Sequence, residues 1–214
     1  MAATLAQTAL GDGSAIGLTT ADYLDRVKAL APALKASAAE IDARRELPAA
    51  IIDRLVAGGF FRLLLPRSLG GAELLPADYV PIITAIAAID ASTAWCLNQN
   101  SGCSMTAAYF SAEAAQEIFG GPRGILAWGP GPGEARVVAG GYSVTAQWAF
   151  ASGSHHATWL GCHVPVIEAN GQPRREPDGT PAARTLVFPK SETKFTDIWR
   201  TIGLRGTGSD QYAV

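Results

Sequence analysis

The feature that most constrains the fold is a change of sequence pattern just after Gly121. Upstream of it, apolar side chains recur every three to four residues, the spacing that places them on one face of a helix. The series Tyr23, Val27, Leu30 and Leu34 is an example. Downstream, short runs of Val, Ile, Tyr, Trp and Thr are separated by Gly and Pro, which is typical of strands and turns. The pattern therefore predicts helices first and strands afterwards.

The fold class predicted from this change is α+β. Residues 1–19 are expected to form a disordered tail, and residues 20–121 an all-helical domain. Residues 122–214 are expected to form an antiparallel β-barrel-like domain. The boundary between the two domains is placed at Gly121.

Within the predicted β-domain, Gly140-Gly141 is expected to turn a hairpin into a strand over residues 142–150. A second long strand is predicted over residues 158–168. The sequence stops at Val214, inside a strand-like run. Natural domains rarely stop within a strand, so we interpret the chain as part of a larger protein.

Composition excludes several classes of partner. Lys and Arg number 17 and Asp and Glu 19, giving a net charge of −2 with no basic block, which argues against nucleic acid and anionic membranes. The apolar run over residues 80–89 is too short to cross a bilayer. Cys96, Cys103 and Cys162 lack CxxC spacing, so free thiols in the cytoplasm are expected. Only 17% of residues are charged, which indicates surface covered by an oligomer or by a missing part.

Motifs of several common sites are incomplete. His155 and His156 would point to opposite faces of a strand, and no acidic residue stands near them or His163 at a ligand spacing, so no metal site is expected. Ser152 lacks the GxSxG context of a hydrolase nucleophile. The run over residues 129–133 is neither GxGxxG nor a P-loop; it is either a rigid bend or a close backbone approach to a cofactor.

An aromatic pair marks the strand that follows the hairpin. Trp148 and Phe150 are two residues apart, so they are expected on one face of a strand. Ser152 and Gly153 follow, placing a small hydroxyl beside a permissive backbone position. The aromatic side chains either fill a β-core or present a flat surface to a ligand.

A polar cluster interrupts an otherwise apolar predicted helix. Asn98, Gln99, Asn100 and Ser101 lie together in sequence. They either line an internal cavity or form an exposed face. On the first interpretation, Asn98 and Asn100 are candidate substrate-binding residues.

Three stretches in order resemble the acyl-CoA dehydrogenase superfamily. The first runs over residues 40–71, from an acidic and basic segment through Pro48 to a glycine pair. The second contains the triplet Phe150-Ala151-Ser152, and the third covers residues 197–214. Together the resemblance extends over about residues 20–214. Residues 128–134, and Trp148 in place of a lysine, depart from the pattern of the classical dehydrogenases in this superfamily. The run over residues 148–153, followed by residues 156–159, is more similar to the oxygenase components of two-component flavin-dependent monooxygenases.

This resemblance implies a flavin site, filled by reduced FMN or FAD that a separate flavin reductase supplies. It implies oxygenation of a small aromatic or heterocyclic substrate in a homotetramer or other homo-oligomer. Ser152 is implied to act catalytically beside the flavin N5 atom. The implied cofactor-binding residues are Trp128, Gly129, Phe150, Ala151, Ser152 and Gly153.

The resemblance also implies a C-terminal helical bundle, expected to be missing from this chain together with the catalytic His or Glu that the bundle commonly supplies. Two alternatives remain open: an acyl-CoA dehydrogenase that oxidises a CH–CH bond with FAD, and a truncated relative without catalysis.

Overall fold

In the computed structural model, residue 15 and residues 17–214 are described. Of the tail expected over residues 1–19, most positions therefore lie outside the described residues. The upstream part of the chain is helical, as the periodicity predicts. Its helices are α1 (Thr20–Arg44), α2 (Ala49–Ala57), α3 (Pro76–Ala87), α4 (Ala91–Ser104) and α5 (Ala112–Phe119).

Local side-chain chemistry sets where these helices begin. At α1, the Thr19 hydroxyl accepts a hydrogen bond from the Asp22 N–H while the Asp22 carboxylate accepts one from the Thr19 N–H, a complete capping box. The carboxylate of Asp90 caps α4 in the same sense, and the hydroxyl of Ser111 caps α5. These caps satisfy backbone donors that have no partner within the helix.

The downstream part of the chain is built from short strands. They are β1 (Leu126–Trp128), β2 (Ala135–Val138), β3 (Gly141–Val144), β4 (Gln147–Trp148), β5 (Trp159–Ile167), β6 (Ala183–Pro189), β7 (Lys194–Thr196) and β8 (Gln211–Ala213). The predicted turn at Gly140 is confirmed, because β2 and β3 pair in antiparallel register across Gly140, whose φ is 83°. The single strand expected over residues 142–150 is wrong, because this stretch is divided into β3 and β4, which belong to different sheets. The predicted long strand is confirmed as β5.

The expectation of a purely antiparallel β-region is wrong, because the larger sheet is mixed. β5 pairs with β6 in antiparallel register, but it pairs with both β1 and β2 in parallel. Leu126 lies opposite Trp159, and Ala135 opposite Val166. Ala135 follows Leu126 by nine positions, whereas their partners on β5 are seven positions apart. The extra residues lie in the glycine- and proline-rich run over residues 129–134, which forms a bulge. Such a bulge divides one strand path into two short pieces that look unrelated in sequence.

A smaller antiparallel sheet, in the order β4-β8-β7, lies beside the mixed one. Trp148 of β4 and Tyr212 of β8 pack there with ring centroids 5.4 Å apart. One continuous buried cluster includes Leu30 and Ile51 from the helices together with Trp148 and Tyr212 from the strands. The helical and β-regions therefore share a core, and the boundary at Gly121 stays a prediction.

Among the described residues, no helix is both long and apolar enough to cross a membrane.

Candidate functional site

The strand that carries Trp148 ends at that residue, so the expectation that Trp148 and Phe150 share one face is wrong. Trp148 is 1% exposed, whereas Phe150 is 61% exposed and has a left-handed φ of 57°. The neighbouring amides explain the turn: Ala149 donates to the carbonyl of Pro130, and Ala151 donates to the carbonyl of Asp210. Bonds to two different segments rotate the backbone between them and direct the Phe150 ring outward.

A surface cleft of about 430 Å³ opens beside Phe150. The rings of Trp128 and His163 meet edge to face on its wall, with centroids 4.7 Å apart. The indole N–H of Trp148 is buried and has no hydrogen-bond partner. An aromatic-walled cleft beside an unpartnered donor fits a flat heterocycle such as an isoalloxazine ring. The cleft is lined by Gln99, Trp128, Gly129, Pro130, Gly131, Trp148, Phe150 and His163.

The glycine-rich run is explained by packing within the chain. A Cβ atom on Gly129 would lie 1.8 Å from the carbonyl oxygen of Ala149, so only glycine fits where these segments cross. The N–H of Gly129 donates to the Tyr212 hydroxyl at 3.3 Å, and that hydroxyl donates to the carbonyl of Gly161. The rigid-bend interpretation of this run is thereby supported. The expected backbone contact of Gly129 with a cofactor would need a group other than this N–H.

Ser152 is buried, and its hydroxyl already has two protein partners. The indole N–H of Trp95, on α4, donates to the Ser152 Oγ atom at 3.0 Å. The Oγ atoms of Ser152 and Ser209 lie 2.7 Å apart. Ser209 in turn lies 2.7 Å from the Thr207 hydroxyl. Ser152 is thus held between a helix and the segment that leads into β8.

The residues around Ser152 are fixed by their backbone. Ala151 is fully buried, which limits its role to its main chain. Gly153 has a φ of 75°, and its N–H donates to the carbonyl of Thr207 at 3.0 Å. A Cβ atom at Gly153 would lie 2.5 Å from the Asn100 side-chain oxygen. A larger residue there would displace the loop that carries Phe150 and Ser152.

The predicted substrate residues lie on α4 but are engaged within the protein. Asn98 accepts a hydrogen bond from the Tyr79 hydroxyl at 3.1 Å. Asn100 is buried, donates to the carbonyl of Leu126 at 3.1 Å, and has its oxygen 3.0 Å from Nε2 of His156. Gln99, between the two asparagines, is the residue of this cluster that lines the cleft.

His156 is a histidine that the protein keeps neutral. Its ring packs against Phe61, with centroids 5.3 Å apart, and Nε2 faces the oxygen of Asn100. Burial of the ring, reinforced by electrostatic interaction with Lys190 and His155, lowers the pKa of His156 to about 3. An acceptor opposite Nε2 places the proton of the neutral ring on that nitrogen.

His155 joins the loop to two other parts of the fold. Its Nδ1 lies 2.7 Å from a carboxylate oxygen of Glu46, and its Nε2 lies 2.7 Å from one of Asp210. Burial opposes ionisation of Glu46, but hydrogen bonds from Arg44 and His155 outweigh it and lower the pKa of that carboxyl. The two carboxylates lie on opposite sides of the ring, so they do not converge on one point. Among the described residues, no group of three His, Cys, Asp or Glu side chains is placed to hold a metal ion.

The sequence did not reveal the residues that contact Ser152 in space but lie far from it in the chain. Trp95 and Ser209 are each 57 positions from Ser152, on either side. No local pattern links them, although Ser209 lies in the third block of the resemblance. The sequence offers no signal for His163 beyond a possible metal ligand, and the structure places this residue on the cleft wall.

Comparison with known proteins gives these features a family context. Residues 22–120 match the family described as acyl-CoA dehydrogenase, N-terminal domain. The chain is 32% identical over 195 residues to a flavin-dependent monooxygenase, oxygenase subunit HsaA, from Rhodococcus jostii, covering 89% of this chain and 48% of that protein. It is 32% identical to an indole-3-acetate monooxygenase from Pseudomonas putida, covering 84% of this chain and 44% of that protein.

The chain also superposes on solved protein structures. XiaF from Streptomyces, in complex with FADH2 and glycerol, superposes with a TM-score of 0.83 at 26% identity, covering 91% of this chain and 48% of that one. The 3-HSA hydroxylase from Rhodococcus superposes with a TM-score of 0.79 at 32% identity, covering 90% and 48%. The chain spans about half the length of the curated relatives it matches.

Proposed function

We propose, since the chain belongs to the acyl-CoA dehydrogenase superfamily, that its protein is the oxygenase component of a flavin-dependent monooxygenase. In the proposed reaction, reduced FMN or FAD supplies the electrons with which O2 is split. One oxygen atom is added to a small aromatic or heterocyclic substrate and the other leaves as water. The flavin carries this chemistry, while the protein supplies binding, orientation and electrostatics.

The observation that carries the proposal is the exposed, left-handed Phe150. A bulky residue with positive φ is uncommon and costs about 1–3 kcal/mol, so it persists only where the surroundings impose it. Here the imposed conformation places a 61% exposed ring beside the cleft. We assign Phe150 to one face of the isoalloxazine ring, with Trp128 supporting its edge.

Ser152 is the polar group proposed to act at the flavin N5 atom. It stands two residues after Phe150 on a loop whose amides are bonded to residues 207 and 210. That anchoring holds the hydroxyl in one orientation relative to the ring. Ala151 and Gly153 are proposed to adjoin the flavin ring through their main chain.

The substrate class is proposed from the relatives and the cleft together. The Pseudomonas putida relative is named for indole-3-acetate, and a Rhizobium relative is named a resorcinol hydroxylase. Both names denote small ring compounds. Aromatic walls with a polar Gln99 suit such a molecule. Asn98 and Asn100 are proposed to contact the substrate. Asn100 is buried, so it is better suited to supporting the residues of the cleft than to touching the substrate.

A reductase partner, a homo-oligomer and a cytoplasmic location complete the proposal. Relatives named as an oxygenase subunit or component support a separate reductase. The cysteines Cys96, Cys103 and Cys162 are all free and buried, consistent with a reducing compartment. Large apolar side chains such as Leu75 and Tyr109 are exposed, which supports coverage by further chain or by another subunit.

Incorporation of isotopically heavy oxygen tests the proposed activity. The full-length product of the gene would receive reduced FMN or FAD from an unrelated flavin reductase, in the presence of heavy O2 and a panel of phenols and indoles. The proposal predicts a product that carries one heavy oxygen atom. Oxidation of acyl-CoA thioesters, with no heavy oxygen in any product, would contradict it and support the dehydrogenase alternative.

A further inference from the structure

A chain of hydroxyl groups leads away from Ser152 into the protein. Trp95 donates to Ser152 at 3.0 Å, Ser152 and Ser209 are 2.7 Å apart, and Ser209 and Thr207 are 2.7 Å apart. Thr207 then donates to the main-chain carbonyl of Leu204 at 3.0 Å. Ser152 is 6% exposed, and Ser209 and Thr207 are each 2% exposed, so water does not compete for these bonds.

The two ends of this chain fix the direction of every proton in it. A carbonyl can only accept, so the single hydroxyl proton of Thr207 is committed to Leu204. Ser209 must therefore donate to Thr207, and Ser152 must donate to Ser209. At the other end an indole N–H can only donate, so Trp95 occupies one lone pair of Ser152.

What remains on Ser152 is a single lone pair, which means that its free side is a hydrogen-bond acceptor and not a donor. The N5 atom of a flavin carries a proton in the reduced form and only a lone pair in the oxidised form. An acceptor at that position attracts the first and repels the second.

We infer that Trp95, Ser209 and Thr207 are positioning residues that hold Ser152 as an acceptor and so give the site a preference for reduced over oxidised flavin. This inference rests on the proposed function, which places Ser152 at N5. The chain of hydroxyl groups would thereby select the oxidation state of the flavin that binds. The expected preference is about three- to tenfold, the effect of one hydrogen bond gained by one form alone.

Ser209→Ala is the variant that tests the inference. It removes the acceptor for the Ser152 proton and leaves Ser152 in place, so that proton becomes free to turn toward N5. Ser154→Ala is the matched control, because Ser154 is equally small, fully buried and close by, and its hydroxyl has no partner. Thr207→Val is a second test variant. It removes the acceptor for the Ser209 proton, so Ser209 can donate to Ser152 and the Ser152 proton is no longer held on Ser209.

The measurement is the pair of dissociation constants for reduced and oxidised FMN and FAD, by anaerobic titration of the full-length protein. The inference predicts that the ratio of oxidised to reduced dissociation constants falls by about three- to tenfold in Ser209→Ala and Thr207→Val, and stays at the parent value in Ser154→Ala. Should all three variants keep the parent ratio, the inference is overturned while flavin binding stands. Should the parent bind neither form, the proposed function and the inference both fail. If Ser209→Ala does not fold, Thr207→Val decides alone.

Discussion

The indole N–H of Trp95 donates a 3.0 Å hydrogen bond to the hydroxyl of Ser152, and this bond joins the helical region to the β-region beside the proposed flavin face. Trp95 comes from the middle of α4, whereas Ser152 lies on the loop after β4. The position of the Ser152 hydroxyl is therefore set by the helical region and the β-region together.

Phe150→Ala should weaken flavin binding. The substitution removes the aromatic face assigned to the isoalloxazine ring, and the loss is expected to be about 1–3 kcal/mol, as for a large buried aromatic contact. Fluorescence titration with FMN and FAD measures the effect. Phe150→Leu is the control, since it keeps apolar bulk and should retain part of the affinity. Equal affinity of Phe150→Ala and the parent would show that Phe150 does not pack against the flavin ring.

Ser152→Ala should increase the hydrogen peroxide released per turnover while flavin affinity changes little. One neutral hydrogen bond is worth only about 0.5–1.5 kcal/mol of binding, so the main consequence is expected in the coupling between flavin oxidation and product formation. Stopped-flow kinetics with product and peroxide quantified together provide the measurement. Ser154→Ala, a buried serine without a partner, serves again as control. Unchanged coupling in Ser152→Ala would remove the catalytic role assigned to this residue.

His156 should make the protein less stable as the pH falls below neutrality. Its folded pKa is lowered to about 3, from 6.5 in the unfolded chain, so below pH 6.5 the unfolded state binds a proton that the folded state does not. Stability is then lost as the pH falls from about 6.5 toward 3, by at most about 1.4 kcal/mol per pH unit. The change to measure is His156→Gln, which keeps a donor for Asn100 and cannot titrate.

Urea unfolding midpoints at a series of pH values between 7 and about 4 provide the comparison. His156→Gln should show a smaller loss of stability per pH unit than the parent. Ser154→Ala, which removes a buried hydroxyl that does not titrate, is the control and should keep the parent slope. Identical slopes for His156→Gln and the parent would mean that His156 titrates normally in the folded protein.

Residues 1–214 expressed alone should scatter light and show no turnover. Side chains such as Leu75, Tyr109 and Ile202 are exposed, and only 17% of the residues are charged to keep such a surface soluble. Light scattering combined with a flavin titration measures both properties. A monodisperse preparation of these residues that saturates with flavin would show that the described regions suffice.

The sequence predicts the helices well because their determinants are local. The series from Tyr23 to Leu34 is buried as its spacing implies. The hairpin at Gly140 follows equally from local backbone chemistry. Short-range pattern is enough where the bonds connect residues a few positions apart.

The rest depends on contacts between distant segments. Parallel pairing of β1 and β2 with β5 could not be foreseen, because a bulge separates the two short strands in the sequence. The turn of Phe150 depends on amide bonds to Pro130 and Asp210. Likewise, the direction of the hydrogen bond made by the Ser152 hydroxyl depends on Ser209 and Thr207. These residues lie beside Ser152 only in the folded chain.

Use of reduced flavin supplied by another protein, as proposed above, is tested most directly by comparing how the protein binds the two oxidation states of flavin. The purified full-length protein would be titrated anaerobically with reduced and oxidised FMN and FAD, and then exposed to acyl-CoA thioesters. We expect saturable binding that is tighter for a reduced flavin, with no reduction of bound oxidised flavin by any thioester. Oxidised FAD that copurifies with the protein and is reduced by an acyl-CoA thioester would contradict it and identify a dehydrogenase.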